Sequence, residues 1–271
     1  MSIQIPGAGA PDYAPCKYPG SRLAFRGPER NLDNPYIACL GGTKTFGRFV
    51  TAPFPDMLEQ RLGRVCVNFG CVNSGIDTLL AEPAVLEMAR KADVSVLQVL
   101  GAQNISNRYY RVHPRRNDRF LAASPLLQKI YSEADFTEFS FNRHMLMHLH
   151  KVDPDRFSPI AAELRAVWQA RMQLVLDAIG PNVVLLWIRM DQDAPPLGPE
   201  PGLIQPEMLD PFRDRVRAVV EVTTPPALRM NDLATMRFGP LDEPAAANSL
   251  GPLAHARIAE KLHTVIEPMV T

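Results

Sequence analysis

A chain of 271 residues, 46% hydrophobic and 21% charged, is long enough to bury one large core and has the make-up of an ordinary globular protein. Lysine plus arginine and aspartate plus glutamate balance at 29 each, which excludes a global field drawing the chain to nucleic acid or to a membrane surface. The sequence holds neither a basic, apolar leader nor an apolar run of the roughly 18 residues that a membrane span needs, so a cytoplasmic protein is expected.

Residues 1–35 are rich in proline and glycine without a sustained period, which reads as an extended arm lying across a single α/β domain of residues 36–271. Within the arm, YPGSRLAFRGPER carries Arg22, Arg26 and Arg30 beside Leu23 and Phe25. Two readings fit: a solvated arm with apolar anchors, or arginines placed near a ligand. The next stretch, YIACLGGTKTFGRFV at 36–50, is the centre of the chain. Apolar residues 37–40 are cut off by Gly41 and Gly42, and Thr43 and Thr45 follow, which reads as a buried strand ending in a tight turn. Such a turn presents backbone N–H groups and a hydroxyl at the carboxyl edge of a strand, where open α/β sheets place ligands. Thr43 is therefore expected in any active site.

Helical spacing runs over 53–62 and Gly63 stops it. A second strand over 65–68 leads through the turn NFGCVNSGID to a helix over 77–91, and a third strand over 94–100 ends at Gly101. Strands that end in glycine and are followed by helix or loop make a β-α rhythm. Residues 102–120 read as a long irregular loop with Arg108, Arg111, Arg115, Arg116 and Arg119, and with Tyr109, Tyr110 and His113 between them. Arising at the end of a strand, it is expected on the same edge as Thr43. Arginine forks bind carboxylate, sulfate or phosphate bidentately, and the rings can stack on a sugar or base. The other reading pairs these arginines with Asp118, Asp135 and Glu138.

Residues 121–150 read as helical. His144 and His148 share a helix face there but lack a carboxylate at ligand spacing, so core packing is expected rather than metal binding. The clearest helix spans 158–179, capped by Ser158, with Pro159 in its first turn and Gly180-Pro181 at its end. A fourth strand over 183–188, a proline-rich loop over 194–206 placed to lie over a site, a fifth strand over 219–223, an irregular stretch over 224–247 and a final helix from about Pro252 complete the chain. Cys16, Cys39, Cys66 and Cys71 show no metal-type spacing, and two of them sit in apolar runs, so no disulfide framework is expected.

Five strands interleaved with helices give an open, mostly parallel sheet covered on both faces. With its motifs in place, the layout over residues 37–266 resembles the SGNH (GDSL-type) hydrolase superfamily. The resemblance implies a flavodoxin-like three-layer α/β/α fold around a mostly parallel five-stranded sheet, and acyl-ester chemistry without a cofactor. The family's first block, G-D-S-x-T, stands here as Gly41-Gly42-Thr43-Lys44-Thr45, which puts Thr43 in the place of the nucleophile, with glycine where the aspartate would be. The second block, N-x-G-x-x-G, is similar to the stretch from Asn68 to Gly75, with two more residues between the glycines, and offers Gly70 or Gly75 as oxyanion donors. The third, G-x-N-D, stands as Gly101-Ala102-Gln103-Asn104, so the amide donor is Gln103 or Asn104. The fourth, D-x-x-H, has no counterpart near Asn248 or Ser249, and His255 is the histidine close by.

The segments YPGSRLAFRGP, LGGTKTFG and HPRRNDRF are also similar to a bacterial family that is itself a divergent SGNH-like branch. The resemblance thus implies an ester hydrolase or acyltransferase on a polar, anionic, glycan-like substrate. Thr43 would be the nucleophile, His255 the base and Asn104 an oxyanion donor, with Gly42, Gly70, Asn73, Gly75, Arg111, Arg115 and Arg116 on the substrate. The alternative is an inactive SGNH-like fold that binds an anionic ligand or partner through the arginine loop. A third reading makes residues 41–45, with Lys44, a phosphate cradle. Cys71 adds a thiol beside the second turn that can compete with Thr43. No cofactor, metal, nucleic acid or membrane is expected in any of these readings.

Overall fold

In the computed structural model, which describes residues 9–191 and 197–270, the apolar run after the arm forms strand β1 (Tyr36–Gly41) with every residue buried. β2 (Val65–Gly70), β3 (Val94–Gln98), β4 (Tyr110–Val112), β5 (Phe120–Ala123), β6 (Val183–Met190) and β7 (Ala218–Thr224) follow. Five of them make one sheet in the order β2-β1-β3-β6-β7, and every neighbouring pair is parallel. This is the strand order of flavodoxin-like sheets, in which the chain reverses its direction of winding between the first and third strands.

The helices are α1 (Thr43–Phe46), α2 (Phe54–Leu62), α3 (Ile76–Leu80), α4 (Pro83–Lys91), α5 (Pro125–Ile130), α6 (Asn142–Val152), α7 (Pro154–Ile179), α8 (Glu243–Ala247) and α9 (Pro252–Val270). The pleat of β1 sorts its side chains. Ala38 and Leu40 enter a core that includes Leu79, Val85 and Trp168 from α3, α4 and α7, whereas Ile37 and Cys39 enter a second one with Phe54 of α2 and Ile258 and Leu262 of α9. Parallel strands buried on both faces must be apolar at successive positions, and that is why these runs were legible. The result is a three-layer α/β/α arrangement. No helix among the described residues is long and apolar enough to cross a membrane.

Several expected boundaries move. The helix expected over 77–91 is two, because Pro83 cannot donate into a continuing helix and instead starts α4. The arginine-rich loop contains a hairpin, β4 paired antiparallel with β5, so residues 121–150 begin as strand and not as helix; α5 and α6 come only afterwards. The long helix starts at Pro154, and its cap is Asp153, whose carboxylate accepts from the N–H groups of Asp155 and Arg156. Ser158 and Pro159 therefore lie inside it. Of the proline-rich loop, Ala194, Pro195 and Pro196 lie outside the described residues, as do the first eight residues of the arm. The described part of that loop buries Leu197, Leu203 and Ile204.

Two contacts hold the carboxyl edge of the sheet rigid. Trp168 of α7 donates its indole N–H to the Leu100 carbonyl at 2.7 Å, which pins α7 over the end of β3. Gly70 lets α1 lie directly on the end of β2: a Cβ there would stand 2.3 Å from the Phe46 nitrogen.

Candidate functional site

Gly41 and Gly42 end β1, and Thr43 opens the one-turn helix α1, so the hydroxyl does stand at the carboxyl edge of the sheet, at the point where the strand order reverses. Its hydrogen bonds run to one neighbour. Thr43 Oγ1 accepts from the Asn73 N–H at 2.9 Å and donates to Asn73 Oδ1 at 3.4 Å. Asn73 has a left-handed φ of 62°, a conformation asparagine tolerates better than most residues.

The amides expected around Thr43 are engaged by the protein itself. Gly42 N–H donates to Gln98 Oε1 at 3.1 Å, Gly70 N–H to Asn68 Oδ1 at 2.9 Å, and Gly75 N–H to Asn117 Oδ1 at 2.8 Å. Gln98 Oε1 also takes the Thr45 hydroxyl at 2.7 Å, and Asn117 Oδ1 the Thr78 hydroxyl at 2.7 Å. A buried N–H must find an acceptor, and here glutamine and asparagine side chains supply it. Asn104 Oδ1 accepts from Asn142 at 3.2 Å, and the backbone of Asn104 lies against Gly75, where a Cβ would come within 2.8 Å of its carbonyl oxygen. The structure thus brings Asn104 to Gly75, and Thr43 to Asn73.

Among the described residues no hydrogen bond joins His255 to Thr43. His255 lies in α9, 1% exposed; its Nδ1 accepts from the Phe54 N–H at 3.1 Å, and its ring stacks on Phe54 at 6.1 Å. Burial, with the Arg26 charge added, pushes its pKa down to about 3, and a ring so held is a poor proton acceptor at neutral pH. The Cys71 thiol is pushed up to about 12 by burial and by the Glu82 carboxylate, so it stays protonated and unreactive. Lys44 is turned to Glu200 at 3.6 Å.

The arginines separate into three groups. Arg26 is an internal clamp, its guanidinium donating to the carbonyls of Gly47, Val50 and Thr51 at 2.8, 2.9 and 2.6 Å. Arg30 and Arg108 are ion-paired, with Glu59 at 2.7 Å and Glu163 at 3.2 Å. Arg22, Arg115, Arg116 and Arg119 line one cavity of about 790 Å³ between the arm, the turn after β2 and the segment leading into β5. Arg111 is exposed on β4 and is not part of that lining.

This cavity has two characters. Phe25, Phe46, Phe120, Leu121 and Phe139 supply an apolar and aromatic wall. In the same lining, Arg22, Arg115 and Arg116 have no ion-pair partner among the described residues, while Arg119 lies over the Phe141 ring at 4.2 Å. Arg48, also in the lining, pairs with Asp242 at 2.8 Å. His113 Nδ1 accepts from the Arg115 and Arg116 N–H groups at 3.2 and 3.1 Å, which places the proton of the neutral ring on Nε2. Asp12 is the carboxylate of the lining. His144 and His148 instead pack around Phe139, with ring centres 5.1 and 5.2 Å away.

In the sequence the arm's contribution shows only as Arg22, Arg26 and Arg30 beside Leu23 and Phe25, and of these Arg22, Leu23 and Phe25 line the cavity. Phe139 and Phe46 carried no signal, because each is an ordinary apolar residue until the chain closes the cavity. A protein-family model described as a domain of unknown function matches residues 1–270. No curated protein and no solved structure matches the chain.

Proposed function

The chain belongs to that family, DUF6473, and we propose that this member binds an amphipathic anion: a carboxylate, sulfate or phosphate group carried on an apolar or aromatic body. The observation that carries this reading is the cavity of about 790 Å³ whose lining combines aromatic side chains with three arginines that have no ion-pair partner among the described residues. A guanidinium left unpaired at a concave surface is a ready fork for an oxyanion, and apolar walls with a few oriented polar groups are the usual make-up of a ligand site. The resemblance of the sequence motifs to SGNH hydrolases is compatible with a sheet of this strand order and leaves the binding reading intact, since fold does not fix chemistry.

The test is a binding screen of the full chain by calorimetry, using alkyl and aryl sulfates, phosphates and carboxylates. The expected result is saturable binding that falls about tenfold in Arg115→Ala and again in Arg116→Ala, the size of one charge-assisted hydrogen bond each, with a dependence on salt. Wild-type affinity in both variants would remove the reading.

A second reading, ester hydrolysis or acyl transfer at Thr43, is favoured by one observation, the hydroxyl's position at the carboxyl edge of β1 with a backbone N–H directed at it. Its measurement is turnover of acetylated sugars by the wild type and by Thr43→Ala. Loss of turnover in the variant supports it. Turnover absent in both, or equal in both, sinks it.

A further inference from the structure

The arginine cavity carries one nitrogen donor that is not a guanidinium. His113 lines it, and the turn that holds His113 is bonded at every step. Its Nδ1 accepts the Arg115 and Arg116 N–H groups, its own N–H donates to the Arg119 carbonyl at 2.9 Å, and its carbonyl accepts from Asn117 Nδ2 at 2.9 Å. Asn117 is fully buried, and its Oδ1 ties this turn to Gly75 and Thr78 beyond the end of β2. The group that His113 has left to offer is Nε2–H. Among the described residues nothing accepts it, and it is not one of the buried atoms that lack a partner, so it is open to solvent. A donor held in place before its ligand arrives costs little ordering on binding.

Charge narrows the head group. Arg48 is matched by Asp242. Asp12 in the lining, and Asp118 within reach of the Arg119 and Arg116 charges, offset two of the other four arginines of the lining, which leaves two positive charges in excess. A carboxylate or a sulfate monoester brings one negative charge, whereas a phosphate monoester brings about two near neutral pH, on three acceptor oxygens. Guanidiniums together with an imidazole N–H also offer more donors than the two oxygens of a carboxylate take up. We infer that the anion of this cavity is a phosphate monoester on an apolar or aromatic body, and that His113 donates its Nε2–H to a phosphate oxygen beside the guanidiniums of Arg115 and Arg116. The inference rests on the anion-binding reading and narrows it to one head group.

The experiment is calorimetry of the full chain with phenyl phosphate, phenyl sulfate and benzoate at neutral pH, for the wild type and for His113→Asn. Asparagine keeps an acceptor for the Arg115 and Arg116 N–H groups, as in an Asx turn, and lacks the Nε2–H. A histidine that only holds the turn would therefore leave affinity unchanged in this variant. The wild type is expected to bind phenyl phosphate at least tenfold more tightly than the other two. The variant, with an unchanged urea midpoint, is expected to lose about tenfold for phenyl phosphate, the size of one charge-assisted hydrogen bond, and less for benzoate. Absence of binding by all three anions in the wild type would overturn the anion reading and this inference together. Binding without a preference for phenyl phosphate, or wild-type affinity in His113→Asn, would overturn this inference and leave the anion reading standing. The ranking of the three anions is read on the wild type, so it decides even where the variant is unstable.

Discussion

Arg26→Ala is expected to cost about 3–5 kcal/mol of folding stability, in the range found when one partner of a buried charged network is removed. Arg26 is 6% exposed and has no carboxylate within ion-pair distance among the described residues. Its charge is met instead by carbonyl oxygens: the Gly47, Val50 and Thr51 contacts of 2.6 to 2.9 Å and a longer one to Phe46 at 3.4 Å. Those carbonyls include the ones left open where α1 ends, and the Tyr13 ring sits 5.1 Å from the guanidinium carbon. Truncation would therefore leave the buried Val50 carbonyl without this donor, reduce the bonding of the Gly47 and Phe46 carbonyls to their weaker remaining donors, Val50 N–H and Asn68 Nδ2, and remove the tie between the arm and the domain.

Arg26→Lys should recover only a part of the loss, since an ammonium cannot reproduce the planar fork. Urea unfolding of the two variants reads this directly, and a loss below about 1 kcal/mol for the alanine would contradict the clamp. Because Asp12, Tyr13, Arg22, Leu23 and Phe25 belong to the wall of the arginine cavity, Arg26→Ala is also expected to lose anion binding without touching the ligand.

The second large effect is on acid stability. His255 has its pKa lowered from 6.5 to about 3 in the folded state. Between those values the unfolded chain takes up a proton that the folded one refuses, so stability falls as pH drops, by at most about 1.4 kcal/mol per pH unit. Above the unfolded value the histidine contributes its full stabilisation and the curve is flat with respect to it. Asp56 and Asp118 act in the opposite sense, since burial raises both carboxyl pKa values, and the signature must therefore be read as a difference.

In His255→Gln the amide oxygen can still accept the Phe54 N–H, while the proton uptake is gone. The wild type should lose stability more steeply than this variant on going from neutral pH toward pH 3, as urea midpoints at a series of pH values would record. Parallel curves would show that the folded ring takes up its proton as the unfolded one does, and would contradict the lowered value. Arg26 is the second cause of the lowered value, so the two predictions are linked: removing the guanidinium should shift the His255 transition upward.

Local sequence determined the strands of the sheet, the position of Thr43 at the end of β1, and helices α2 and α9. Each is written in consecutive residues: an apolar run that must be covered on both faces, a glycine that ends it, a period of about 3.6 that marks a buried stripe. Tertiary structure decided the rest. The β4-β5 hairpin inside the arginine stretch depends on pairing Tyr110 with Ala123, and no local period announces such a partner.

Arg22, Arg26 and Arg30 look alike in one short segment, yet one lines a cavity, one is an internal clamp and one is ion-paired, because what lies opposite each comes from elsewhere in the chain. The turns after β1 and β2 read as free N–H groups awaiting an oxyanion. Gln98 and Asn117, 56 and 42 positions away from the glycines they serve, fill two of them. A hydrogen bond is settled by the distance between donor and acceptor in space, which the order of residues along the chain does not contain.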